Sequence, residues 1–201
     1  MRQLERLSTC DEEDVRSRVA AVLANFTEER GEKILTDLTR DKEYLVRVEA
    51  CDSLSHSKSL VTYDLLMKRA KQDQNGMVRG YAISSLSQIA SALHKEQELI
   101  TFLIQRLLDE NVMFTKINIY KTLYDMGEYK YLDCLLSCLN TKVYQNRCAV
   151  VHLLNEIIDV DNYENIVKAL KERKEVEKTI AVISAINELL AKIQCMERNQ
   201  I

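Results

Sequence analysis

Apolar residues recur along this chain in two alternating phrases, each with the three-to-four-residue spacing of one helix face. The first phrase reads DVRSRVAAVL at residues 14–23, LVRVEACDSL at 45–54 and MVRGYAISSL at 77–86. Aligned on Arg16, Arg47 and Arg79, the register continues to Lys116, Arg147 and Lys178, at intervals of 31, 32, 37, 31 and 31 residues. Three residues past these anchors stand Val19, Ala50, Ala82, Ile119, Val150 and Ala181. Four past stand Ala20, Cys51, Ile83, Tyr120, Val151 and Val182, and seven past stand Leu23, Leu54, Leu86, Leu123, Leu154 and Ala185. These columns form one stripe of an amphipathic helix, here called B. Upstream lies a second set, Leu35, Met67, Ile104, Leu135 and Ile166, followed three residues later by Leu38, Ala70, Leu107, Cys138 and Ala169. It predicts a preceding helix, A, of which the first unit keeps only a stub near residues 2–8.

Each unit therefore reads as helix A, a short turn, helix B. The turns carry Asp41 and Asp73 six residues before their anchors, with Asp11, Asp109 and Asn140 near the same place in other units. Such side chains can accept from the open amides at a helix start, and Gly76 fits a helix-to-helix turn. The longer interval before Lys116 places its extra residues near 91–97, as a longer loop or an extended B helix. A single helix pair cannot bury its apolar face alone, so the units must stack. The expected fold is an all-α superhelix of about six two-helix repeats in a single domain, 1–201. The repeats fall near 1–26, 27–58, 59–93, 94–127, 128–159 and 160–195.

Composition agrees with helix. Proline is absent and glycine occurs only four times in 201 residues, whereas β folds spend both on turns. The formal net charge is −3, the wrong sign for a nucleic-acid footprint. Six cysteines are scattered as Cys10, Cys51, Cys134, Cys138, Cys148 and Cys195 without a CxxC pair, and read as small apolar thiols instead of a metal or disulfide framework. The charged N-terminus lacks an apolar leader and no run reaches membrane-spanning length, so a cytoplasmic protein without membrane attachment is expected. No glycine-rich phosphate loop or GxSxG is present.

A short two-helix unit with Asp in the turn and Val-Arg opening the second helix resembles the HEAT family. The matching residues are Asp41, Val46, Arg47, Ala50 and Leu54, then Asp73, Val78, Arg79, Ala82 and Leu86. In length the unit is closest to the short HEAT-like repeats of phycobilisome lyases. Later units depart, with Thr115-Lys116, Asn146-Arg147 and Glu177-Lys178 in place of Val-Arg. The resemblance implies a right-handed superhelix with B helices on the inner face, and Asp and Arg paired along the stack. It gives Arg47 and Arg79 a structural role and implies a macromolecular partner.

Residues two, five and nine past each anchor share one stripe opposite the core columns. They include Arg18, Ala21 and Asn25; Glu49, Asp52 and His56; Tyr81, Ser84 and Gln88; Asn118, Lys121 and Asp125; Ala149, His152 and Glu156. The stripe is polar and slightly acidic. Its plain reading is a solvated face; its functional reading is a groove for a protein or peptide segment of basic character, with Tyr81 as anchor. In the last unit the stripe reads Ile180, Ile183 and Asn187, so self-association through Ile180 and Ile183 is open, although a monomer is favoured. Tyr120, Tyr124, Tyr129, Tyr131 and Tyr144 read as filler between helices.

The resemblance also brings in other chemistries. HEAT-type di-iron hydroxylases carry adjacent His-Glu pairs, which the three histidines here do not form. HEAT-like DNA glycosylases use Trp and a basic face, and Trp is absent. Bilin lyases share the repeat length alone. The expectation is a non-catalytic protein-binding scaffold with no metal or cofactor; a DNA-binding, glycosylase-type or bilin-lyase-like protein is the alternative.

Overall fold

The periodic stripes fold as helices wherever they were read. The computed structural model describes residues 1–26 and 28–198. Among these, α1 (Arg2–Leu7), α2 (Glu13–Leu23), α3 (Glu29–Leu38), α4 (Tyr44–Ser53), α5 (Leu60–Gln72), α6 (Gly76–Leu93), α7 (Glu96–Asp109) and α8 (Met113–Asp125) form four A–B pairs. The pairs α9 (Tyr131–Ser137) with α10 (Tyr144–Ile157), and α11 (Tyr163–Val176) with α12 (Ile180–Arg198), complete six. A 3-10 turn, Cys138–Asn140, follows α9, and no strand occurs among the described residues. The fold is an all-α solenoid of two-helix repeats. The chain divides into two compact units, Met1–Met126 and Gly127–Ile201.

In the first unit the B helices stack in order, α2 on α4, α4 on α6 and α6 on α8. Their columns make its core. Val19, Ala20, Leu23, Ala50, Cys51, Leu54, Ala82, Ile83, Leu86, Ile119 and Leu123 are all buried, each leucine or isoleucine worth about 1.5–3 kcal/mol. Leu35, Leu38 and Ala70 bury the A side, but Ile104 is exposed and α7 instead buries Leu99, Ile100 and Leu103. The extra residues before Lys116 lengthen α6 to 18 residues. It ends on His94 in the left-handed region at φ 55°, with the Lys95 amide donating to the Ala90 carbonyl at 2.9 Å, which reverses the chain.

In the second unit α10 packs on α12. Val150, Val151 and Leu154 fill the predicted core positions. The last helix does not keep the register. Val182, Ile186, Leu189 and Ile193 are buried, whereas Ala181 is exposed and Ala185 half-buried. Because α12 starts at Ile180, the position matching Arg47 and Arg79 is Ile183, not Lys178. Periodicity cannot reveal where a helix starts once the preceding unit has grown.

The turns are tied by a ladder of arginines. Arg16 Nε meets Asp41 at 2.6 Å, Arg47 Nε meets Asp73 at 2.9 Å, Arg79 Nη2 meets Glu110 at 2.7 Å and Arg147 Nε meets Glu177 at 2.7 Å. Each guanidinium grips its carboxylate with two nitrogens. Its third nitrogen donates to two carbonyls of its own A–B turn, for Arg79 those of Asp73 and Gln74. The carboxylates in turn accept the amides that open helix B, as Asp73 does from Asn75 and Glu110 from Val112. Each rung thus closes one turn and fastens the next, with bidentate charge-assisted bonds. The acid of the fourth unit is Glu110, not Asp109, and that of the sixth is Glu177. At the fourth anchor the chain carries Lys116, and the residue six before Arg147 is the uncharged Thr141.

Candidate functional site

With the core columns and the ladder holding the B helices, the remaining stripe of each faces outward. In the first unit Arg18 and Ala21 on α2 and Asn25 just past it are exposed. On α4 Glu49 is half-buried while Asp52 is exposed, as is His56 in the turn that follows. On α6 Tyr81 and Ser84 are half-buried and Gln88 is exposed. On α8 the stripe changes character. Asn118 is buried and donates to the Phe114 carbonyl at 2.9 Å, and Lys121 pairs with Asp125 at 2.8 Å. Asn118 is therefore not available to a partner. The cause is Gly80: a Cβ built there would come within 3.1 Å of the Asn118 amide nitrogen and 2.8 Å of the Phe114 ring. The bare backbone of α6 lets α8 close over that asparagine.

Glu49, Asp52 and Tyr81 form the electrostatic centre of this face. Burial raises the Glu49 carboxyl above the ordinary carboxylate range, and the charge of Asp52 raises it further. Burial, then Asp52 and Glu49, raise the Tyr81 phenol in the same way. The Tyr81 ring lies 5.7 Å from that of Phe114, tilted by 33°, so α8 braces it. The periodicity carried Tyr81, but Phe114 was missed as its support. The signal was its place four residues before Asn118 in the same stripe.

His56 sits in the turn beyond α4, with Nδ1 3.0 Å from the Ser55 hydroxyl. It lines a cleft of about 570 Å³ with Phe26, Glu32, Leu35 and Ser57. The Glu32 carboxylate there accepts from the Ser57 and Thr62 hydroxyls. In the second unit Ala149 is half-buried, and His152 and Glu156 are exposed. The shifted register brings Ala185, Glu188 and Lys192 onto the stripe beside them, around a cleft of about 140 Å³ that includes His152. Ile180 is 83% exposed at the first turn of α12, and Ile183 is half-buried. Of the tyrosines read as filler, Tyr124 is buried but Tyr129 and Tyr144 are exposed.

Among the described residues no group of three or more His, Cys, Asp or Glu side chains stands together as a metal site would require. No helix among them is long and apolar enough to cross a membrane.

The repeated turn acid, the arginine ladder and the stacked B helices coincide with a match of residues 3–87 to the family model of HEAT repeats. These residues are HEAT repeats. The fold of the whole chain is similar to that of YibA from Escherichia coli, with a TM-score of 0.60 at 16% identity, over 98% of this chain and 74% of YibA. A looser likeness joins it to the complex of CpcE and CpcF of phycocyanin lyase from Nostoc sp., with a TM-score of 0.49 at 14% identity, over 94% of this chain and 92% of that one. No curated protein matches the sequence.

Proposed function

We propose that this HEAT-type helical repeat protein is a non-catalytic scaffold that binds a protein or peptide segment of basic character on its B-helix face, centred on Glu49, Asp52 and Tyr81. The observation that carries this reading is the half-buried Glu49 beside Asp52 on α4, next to the braced Tyr81 of α6. A carboxylate disfavoured by burial and by a like charge gains when a cation arrives, and a braced aromatic offers area without losing rotamer freedom. Within the second unit, His152 and Glu156 are exposed polar residues of their own B helix. The cysteines support a reducing compartment such as the cytoplasm, since Cys51 and Cys138 are buried as free thiols.

The test is a fluorescence-anisotropy titration with a labelled lysine- and arginine-rich peptide. Reversing Glu49→Lys and Asp52→Lys together weakens binding about tenfold or more at low salt. Reversing the exposed Glu29→Lys and Asp64→Lys on A helices changes the net charge equally and leaves binding near that of the parent. Equal losses from the two pairs would mean that only net charge matters, and the face would lose its role.

A further inference from the structure

The stripe that carries Glu49 and Tyr81 has a first rung at the opening turn of each helix. Leu45, Glu49 and Asp52 follow one another at i, i+4 and i+7 on α4, with His56 in the turn just past its end. Met77, Tyr81, Ser84 and Gln88 repeat the spacing on α6, and Phe114 opens it on α8. The rung is apolar in all three helices, which pack in succession. Leu45 is 43% exposed and Met77 37%, and Phe114, half-buried, stacks on Tyr81. An apolar row thus crosses α4, α6 and α8, with the acidic pair of α4 along one side of it.

We infer that this face takes an amphipathic basic helix, its apolar side chains on Leu45, Met77 and Phe114 and its cationic side chains on Glu49 and Asp52. The inference deepens the scaffold reading and rests on it. The spacing favours a helix over an extended segment. Packed helices lie about 8–10 Å apart, and residues seven apart on a crossing helix advance about 10.5 Å, one per step of the row. Alternate residues of a strand advance about 6.8 Å and fall out of step. Along α4 the carboxylates of Glu49 and Asp52 stem from points about 6 and 10 Å beyond Leu45. That is roughly the width of a helix, so one face of the guest meets the row while its flank meets the acids. The acidic flank disfavours nucleic acid or an anionic membrane surface as occupant.

Two labelled peptides of about 18 residues test it on the full chain. They share one composition of leucine and lysine, patterned in one as an amphipathic helix and scrambled in the other. The patterned peptide binds about tenfold tighter and gains helical circular dichroism on binding. Leu45→Ser with Met77→Ser, both at exposed positions, removes that advantage and leaves the scrambled peptide unaffected. Glu49→Lys with Asp52→Lys weakens both. Equal binding of the two peptides, or a patterned peptide indifferent to the serine pair, overturns the inference while the basic-partner reading stands. Failure of both peptides to bind overturns both. A dimer in sedimentation that the serine pair dissolves assigns the row to a second copy of the chain and likewise overturns it.

Discussion

Arg79 holds the Glu110 carboxylate with two nitrogens and two turn carbonyls with the third, and both side chains are at most 9% exposed. Without Arg79, Glu110 keeps Arg106 at 2.8 Å and two backbone amides but loses its bidentate partner in a buried site. Arg79→Met is therefore expected to lower stability by up to about 3 kcal/mol, read from the urea midpoint. Arg30→Met removes the ion pair with Glu5, whose side chains are both about half exposed, and should cost under about 1 kcal/mol. Similar midpoints for the two variants would show that the rung is not a brace. Lysine cannot replace such an arginine, because a single ammonium cannot grip a carboxylate bidentately while spanning two carbonyls. That the aspartates and arginines of the second and third units pair along the stack was an expectation from the resemblance to HEAT repeats, carried by Asp41, Arg47, Asp73 and Arg79. Glu110 was not legible in the sequence, because its neighbour Asp109 has the expected residue type and only the fold shows which side chain turns inward.

Between elements, α6 approaches the start of α8 closely at Gly76. A Cβ at Gly76 would lie 2.5 Å from the Val112 side chain, and the Thr115 hydroxyl donates to the Gly76 carbonyl at 2.9 Å. Gly76→Ala is expected to destabilise by about 1–3 kcal/mol through overpacking, although alanine is the better helix former. Val112→Ala in the same chain removes the γ-carbons at 2.5 and 2.9 Å but not the Cβ at 2.8 Å, so it relieves part of the overlap and the double variant should be more stable than the sum of the two single changes predicts. Strict additivity in urea melts would refute the close contact. From sequence, Gly76 was read as a turn residue; its neighbour across the helix pair supplies the stronger reason.

For the whole molecule, the ladder sets the response to acid. Burial works against the Glu110 carboxylate, but hydrogen bonds from Arg79, the Val112 amide and Arg106 outweigh it and hold its pKa down to about 2. Asp41 and Asp73 are also lowered, their arginines and turn amides again overcoming burial. Glu177 is lowered first by Arg147. A carboxyl lowered on folding stabilises fully above its unfolded value near 4 and loses that contribution as pH falls through the folded value. Stability from these groups should hold from neutrality to about pH 5 and decline between about pH 4 and 2. Glu49, raised on folding, runs the other way and offsets part of the loss. Urea melts over that range check it; a midpoint unchanged down to about pH 2 would deny the ladder its stabilising part.

The chain by itself determined that it folds as stacked helix pairs, since columns such as Ala50, Cys51 and Leu54 repeat at helical spacing and have nowhere to go but against the next unit. It also placed Glu49, Asp52 and Tyr81 on one stripe, because helical geometry alone sets which residues share a face. Only the tertiary structure decided which stripe residues remain accessible. Asn118 is closed off because Gly80 lets α8 approach, a contact between residues far apart in sequence. Only the fold moved the last register to Ile183, because loop and helix lengths shift phase without changing the pattern, and only the fold drew Leu45, Met77 and Phe114 into one row across three helices.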